Sequence, residues 1–203
     1  MRIASLGCFA LGALCAALYV LAQTDRRIAT TSGIETFHAA QQVAFVGGVP
    51  DQGLWSPQRQ ASYRESLAAR LDAPPALLSI PAIGLTVPIF VGTSDLVLNR
   101  GVGWIEGTAA PGGDGNVGIA GHRDGYFRGL KDLQVGDAIA VQTLQRMRRY
   151  RVAAIKIVDP TDIAVLDATD EPSLTLVTCY PFYYVGNAPR RYIVRGVLDR
   201  TSP

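Results

Sequence analysis

Positions 3 to 22 carry no charged residue and form one apolar run from Ile3 to Ala22. As a helix rising 1.5 Å per residue, that run reaches roughly 30 Å, the thickness of a bilayer's hydrocarbon core. Residues 23 to 50 are mixed and polar, with one short helix expected around 35–44. A firmer helix is predicted from Trp55. Ser56 can cap its free N–H groups and Pro57 suits its first position, after which Tyr63, Leu67 and Leu71 recur at four-residue spacing. Asp72-Ala73-Pro74-Pro75 ends it. An amphipathic helix of this kind is expected to pack on the domain that follows.

Beyond residue 76 the pattern becomes that of strands. The segments 77–80, 85–90, 117–120, 138–141, 150–158, 174–178 and 192–198 are short, rich in β-branched residues and bounded by Gly, Pro or Asp. Such a series predicts an all-β barrel or sandwich. Short helical pieces are expected near 95–99 and 126–133. Long loops fall at 106–115, 159–172 and 180–189, and long loops in a compact β domain are where binding usually resides. Three regions result: an anchor over 1–24, a juxtamembrane stalk with its helix over 25–75, and a β domain over 76–203.

Composition sharpens this division. A formal charge of +2 over 203 residues is too small to indicate a nucleic-acid partner. The apolar run admits two readings. Val20-Leu21-Ala22 could serve as a signal-peptide cleavage site, whereas the length of the run favours an uncleaved single-pass anchor. Either reading exports the bulk of the chain, and the preferred anchor reading places it at the cell membrane with the β domain on the extracytoplasmic side. Cys8 and Cys15 lie inside the run, so Cys179 is the one cysteine of the exported part and has no disulfide partner within it. An unpaired thiol there points to reactivity or to intermolecular pairing. His38 reads as a solvated stalk residue, which leaves His122 as the one histidine of the β domain.

Cys179 and His122 each sit where a predicted strand gives way to a loop. Only a thiolate is nucleophilic, and a free thiol has a pKa near 8.5. A neighbouring imidazole can hold its proton and later hand it to a leaving amine. An arginine, with its fixed fork of donors, suits the oxyanion that forms between those steps. The alternative for the same residues is a buried structural thiol and a hydrogen-bonding histidine, and spacing alone does not decide between them.

The local sequences do decide. Thr175-Leu176-Val177-Thr178-Cys179 matches the TLxTC motif of sortases; Ala120-Gly121-His122-Arg123 resembles the sortase histidine segment. Pro189-Arg190-Arg191-Tyr192-Ile193-Val194-Arg195-Gly196 resembles the family's arginine strand, and the order His, Cys, Arg agrees. Thr178 to Phe182 and Gly121 to Asp124 look most like class D sortases. The resemblance spans about Leu77 to Leu198. It implies a closed eight-stranded β-barrel with short helices, preceded by the transmembrane helix and the helical stalk. It also implies a cysteine transpeptidase that cleaves an LPxT-type sorting signal after threonine and passes the acyl group to an amine. The implied partners are secreted proteins with a C-terminal sorting signal and an amine acceptor such as a peptidoglycan stem peptide. Carried over, Cys179 is the nucleophile, His122 the general acid and base, and Arg191 the oxyanion or orienting residue, with Thr178 lining the same cleft. Arg190 is the competitor for Arg191, because alternate strand residues face opposite sides and a one-residue slip would exchange them. Arg195 shares the face of Arg191 and reads as structural.

Leu96, Val97, Ile163, Val165 and Leu166 are candidates for a groove holding the signal's leucine and proline. Asp159, Asp162, Asp167, Asp170 and Glu171 crowd one loop, with Glu106 and Asp114 in an earlier one. Their spacing matches no calcium-loop motif, so they read as solvated carboxylates; no metal and no cofactor is expected. Asp124 has two readings, a residue orienting nearby His122 or, preferred, a helix cap before Tyr126. Competing functions are a membrane-anchored cysteine endopeptidase acting by hydrolysis and an inactive barrel serving as a binding module. A peptidoglycan L,D-transpeptidase ranks below both, since the residues around His122 and Cys179 do not resemble that family's pattern.

Overall fold

The computed structural model describes residues 50–53, 55–183 and 188–200. The expected membrane anchor, the 35–44 helix and His38 lie outside the described residues. Among the described residues no helix is long and apolar enough to cross a membrane.

Helix α1, Pro57–Ala68, starts as its sequence demands, with the Ser56 hydroxyl accepting from the Arg59 N–H at 3.2 Å. Its buried face differs from the apolar repeat. Leu67 is 51% exposed, and Tyr63 and Ser66 are the buried positions. The helix also stops at Ala68, so Leu71 falls beyond it. A polar line of contacts docks this helix: the Arg100 guanidinium donates to the Ser66 carbonyl at 3.0 Å, and Asn99 to the Ser62 hydroxyl at 3.4 Å.

Eight strands follow: β1 (Ala76–Ile80), β2 (Leu85–Val91), β3 (Val102–Trp104), β4 (Asn116–Ala120), β5 (Ala138–Thr143), β6 (Met147–Val158), β7 (Ser173–Tyr180) and β8 (Arg190–Leu198). They close into a barrel in the order β1-β2-β3-β4-β7-β8-β6-β5, with β5 pairing back to β1. The fold expectation is met for the barrel and its short helices. Helix α2 (Asp95–Arg100) and a 3₁₀ segment at Tyr126–Asp132 lie where short helices were expected. Strand β3, three residues in a glycine-rich stretch, and the 3₁₀ turn Ile163–Leu166 escaped sequence reading.

The interior takes alternate residues of the strands, among them Leu78 and Ile80, Val87 and Ile89, Val117 and Ile119, Leu174 and Leu176, and Tyr192 and Val194. Strand β4 is buried on both faces from Asn116 to Ile119, because the connection between β6 and β7 lies across its outer side. Gly118 permits that approach. A Cβ there would stand 3.0 Å from the Leu166 Cδ2 and from the Thr108 Cγ2.

Two pairings position the site. β4 and β7 are parallel, with Ala120 opposite Val177, so both strands end at the same rim of the barrel. β8 runs antiparallel to β7 and therefore begins at that rim. Parallel strand ends, and the start of an antiparallel neighbour, bring three distant stretches of chain together.

Candidate active site

Cys179 lies two residues past Val177 on β7, and His122 two residues past Ala120 on β4, so the parallel register brings both to one strand end. Leu174 and Leu176 point into the core, and Thr178 continues that side. Strand alternation then turns Cys179 outward, where its thiol is half-buried and free. Arg191 is the direct cross-strand partner of Cys179, and Arg190 that of Tyr180. Directly opposed residues share a face. Arg191 therefore shares the face of Cys179, while exposed Arg190 takes the other. The Arg191 guanidinium donates to the carbonyls of Ala188 at 3.3 Å and Arg190 at 3.1 Å, which folds it over the start of β8.

The turn carrying His122 is held at several points. The Gly121 N–H donates to the Val177 carbonyl at 3.1 Å, extending the ladder past the end of β4. The His122 carbonyl accepts from the N–H groups of Gly125 at 3.1 Å and Phe127 at 3.3 Å. Phe127 is fully buried, and a Cβ on residue 121 would stand 2.6 Å from its ring, so only glycine fits before the histidine. The His122 Nε2 is buried without a hydrogen-bond partner. Burial first, and then the Arg59 guanidinium, push the imidazole pKa below its ordinary 6.5, with Asp124 and Asp95 opposing.

Thr178 corrects an expectation. It is 3% exposed and on the inner side of β7, so it does not line the cleft; strand alternation forbids it from sharing the face of Cys179. Its hydroxyl donates instead to the Gly121 carbonyl at 2.7 Å, beneath the site. Val97 is likewise buried, at 6% exposed, and supplies packing rather than groove surface. Leu96, Val165 and Leu166 are half-buried and Ile163 is 73% exposed. Asp124 is not the cap before Tyr126: Gly125 holds that position, and no side chain caps the turn. The Asp124 carboxylate sits 3.7 Å from the Arg59 Nε, and its carbonyl accepts from the Trp55 indole at 2.7 Å.

Sequence reading missed a polar network under the outer face. Asn116, 1% exposed, donates to the carbonyls of Val165 at 3.2 Å and Asp167 at 3.0 Å and accepts from the Thr175 hydroxyl at 2.7 Å. Arg195 donates to the Val165 carbonyl at 2.8 Å and to the Ser173 hydroxyl at 3.3 Å. Together they fix the Ile163–Leu166 turn beside the face that presents Cys179 and Arg191. The available signal was polarity at every second residue of β7, at Ser173 and Thr175, where a one-sided strand would be apolar or solvated. Among the described residues no group of three His, Cys, Asp or Glu side chains could hold a metal ion.

The Sortase domain model matches residues 78–199, which is the barrel. The chain belongs to the sortase family. Sortase D of Bacillus subtilis (strain 168) is 36% identical over 138 residues, spanning 68% of this chain and 70% of that protein. Sortase A of Staphylococcus aureus is 34% identical over 110 residues, about half of each chain. Among solved structures, a sortase D5 transpeptidase from Clostridium perfringens superposes with a TM-score of 0.58 at 32% identity, covering 73% of this chain and 91% of that one. The sortase domain described here is thus that of a cysteine transpeptidase, and the sortase D likeness of its local segments agrees with these relatives.

Proposed function

We propose that this sortase cleaves an LPxT-type sorting signal after its threonine through a thioester on Cys179, and transfers the acyl group to an amine of the cell envelope. The observation that carries the reading is the pairing of Cys179 with Arg191 on one outward face, beside the strand end that leads into His122.

His122 takes the proton of the Cys179 thiol, the resulting thiolate attacks the threonine carbonyl carbon, and the electron pair of the C=O bond moves to oxygen. Arg191 donates to that oxygen, where charge develops. Collapse breaks the C–N bond, and His122 gives its proton to the departing amine. A second amine then attacks the thioester and yields its proton to His122, and the thiolate leaves. Leu96, Val165 and Leu166, half-buried and partly accessible, are the residues to receive the signal's apolar positions; Ile163 stands outermost. The apolar run 3–22 anchors the chain as a single-pass membrane protein, with residues 25–75 as the stalk and the barrel outside the membrane. That arrangement suits clients that are themselves secreted and acceptors, such as a peptidoglycan stem peptide, that lie in the wall.

Incubating the protein with an LPxTA-type peptide, with and without a small amine nucleophile, tests the reading by product mass. Transpeptidation predicts an amide product containing the added amine. Cleavage that never incorporates the amine would make the enzyme a hydrolase instead.

A further inference from the structure

We propose that Trp55 and Arg59, which precede the barrel, are positioning residues that grip the His122 turn through Asp124 and so hold the imidazole in its working place. The inference rests on His122 being the acid and base of the reaction.

The grip has two hands. The Trp55 indole donates to the Asp124 main-chain carbonyl at 2.7 Å, across 69 residues of chain. The Arg59 Nε stands 3.7 Å from the Asp124 carboxylate. Its guanidinium lies 4.5 Å over the Trp55 ring, so the two hands brace each other. Behind them, Tyr63 meets Trp55 edge to face at 5.4 Å, and Arg59 donates to the Asn99 side chain on α2. Trp55 and Tyr63 are each 6% exposed, so the contact is fully closed.

Simple docking of a helix would be served by apolar side chains. Here an arginine is largely withdrawn from water, with only 19% of its side chain exposed, and its charge adds to burial in lowering the His122 pKa. Withdrawing a guanidinium from water is costly, and Asp124 is the carboxylate nearest to offset that cost. The charged groups acting on the ring are Arg59 from α1, Asp124 from its own turn and Asp95 from α2. Arg59 favours the neutral ring, and the two carboxylates oppose it. Asp124, two residues past His122 in the same turn, meets both Arg59 and Trp55, which couples the segment before the barrel to the turn that carries the histidine.

The test uses the full chain with Arg59→Gln and Trp55→Phe. Each variant is assayed for peptide cleavage against pH, for the His122 imidazole titration by NMR, and for thermal unfolding. The expected result is a fall in kcat on the order of tenfold with KM little changed, as for a displaced catalytic group. In Arg59→Gln the His122 titration moves upward, and Arg59→Lys recovers part of the wild-type position. An unchanged titration and unchanged pH profile in both folded variants would overturn the proposal. So would a loss of rate that only follows the unfolded fraction. A titration that moves while cleavage keeps its profile supports the grip and counts against His122 as the acid and base, so the two failures read apart.

Discussion

The hydroxyl of Thr178 donates a 2.7 Å hydrogen bond to the carbonyl of Gly121, joining the residue before Cys179 to the residue before His122. The bond is buried and runs beneath the rim where β4 and β7 end side by side. It fixes the spacing between the two catalytic candidates from below.

Thr178→Val keeps the shape and removes the donor, at a cost of about 1–3 kcal/mol for a buried acceptor left unmatched. Activity is expected to fall further than stability, because the thiol and imidazole lose their common tie. Thr178→Ser restores both. Denaturant titration together with peptide cleavage checks this; equal stability and rate in Thr178→Val would remove the tie from the account.

Arg191 and Arg190 separate by register. Arg191 opposes Cys179 and Arg190 opposes Tyr180. Arg191→Ala is expected to lower kcat/KM by roughly 10²–10³, the scale for losing one oxyanion donor. Arg190→Ala should stay within a few-fold of wild type. Steady-state kinetics on one peptide decides, and the reverse ranking would mean that the working strand face has been misassigned.

Arg195 anchors the wall beside the site through the Val165 carbonyl at 2.8 Å. Arg195→Met removes a charged donor, worth about 1.5–3 kcal/mol. The Ile163–Leu166 turn then loosens, so KM is expected to rise more than kcat falls. If Arg195→Met raised neither KM nor the unfolding tendency, the turn would be held by Asn116 and Thr175 alone.

How much of this was legible in the chain depends on the kind of residue. Cys179 and His122 sit where predicted strands give way to loops, and the seven-strand pattern implied a barrel or sandwich; Arg191 and the closed barrel were legible only through the resemblance of local segments to sortases. The joining strand β3 was not legible, because three residues flanked by glycine carry no period. Thr178 was placed in the cleft by adjacency to Cys179, whereas strand alternation sets neighbours on opposite faces. Asn116, Trp55 and Arg59 were invisible for another reason. Their partners, Val165 and Asp167 for the first and Asp124 for the other two, are far away in sequence, and only the closed barrel shows that they meet.

Stability should carry the signature of His122. Burial, and then Arg59, hold its pKa below 6.5, so the unfolded chain takes up the proton first as pH drops. The contribution from a neutral His122 is therefore complete above about 6.5 and is lost as pH falls through the lower folded value. Urea unfolding at pH 7.5 and pH 5 is expected to show a decline that His122→Gln reduces. Identical pH slopes for the two proteins would contradict the buried, neutral imidazole.

The central claim is that the Cys179 sulfur becomes acylated in the reaction. Intact-mass measurement of the protein, rapidly quenched in acid after mixing with an LPxTA-type peptide, tests it directly. The predicted result is a mass increase equal to the acyl fragment ending in threonine, mapped to Cys179, discharged by added amine and absent in Cys179→Ala. Peptide cleavage that continued at the wild-type rate in Cys179→Ala would contradict it.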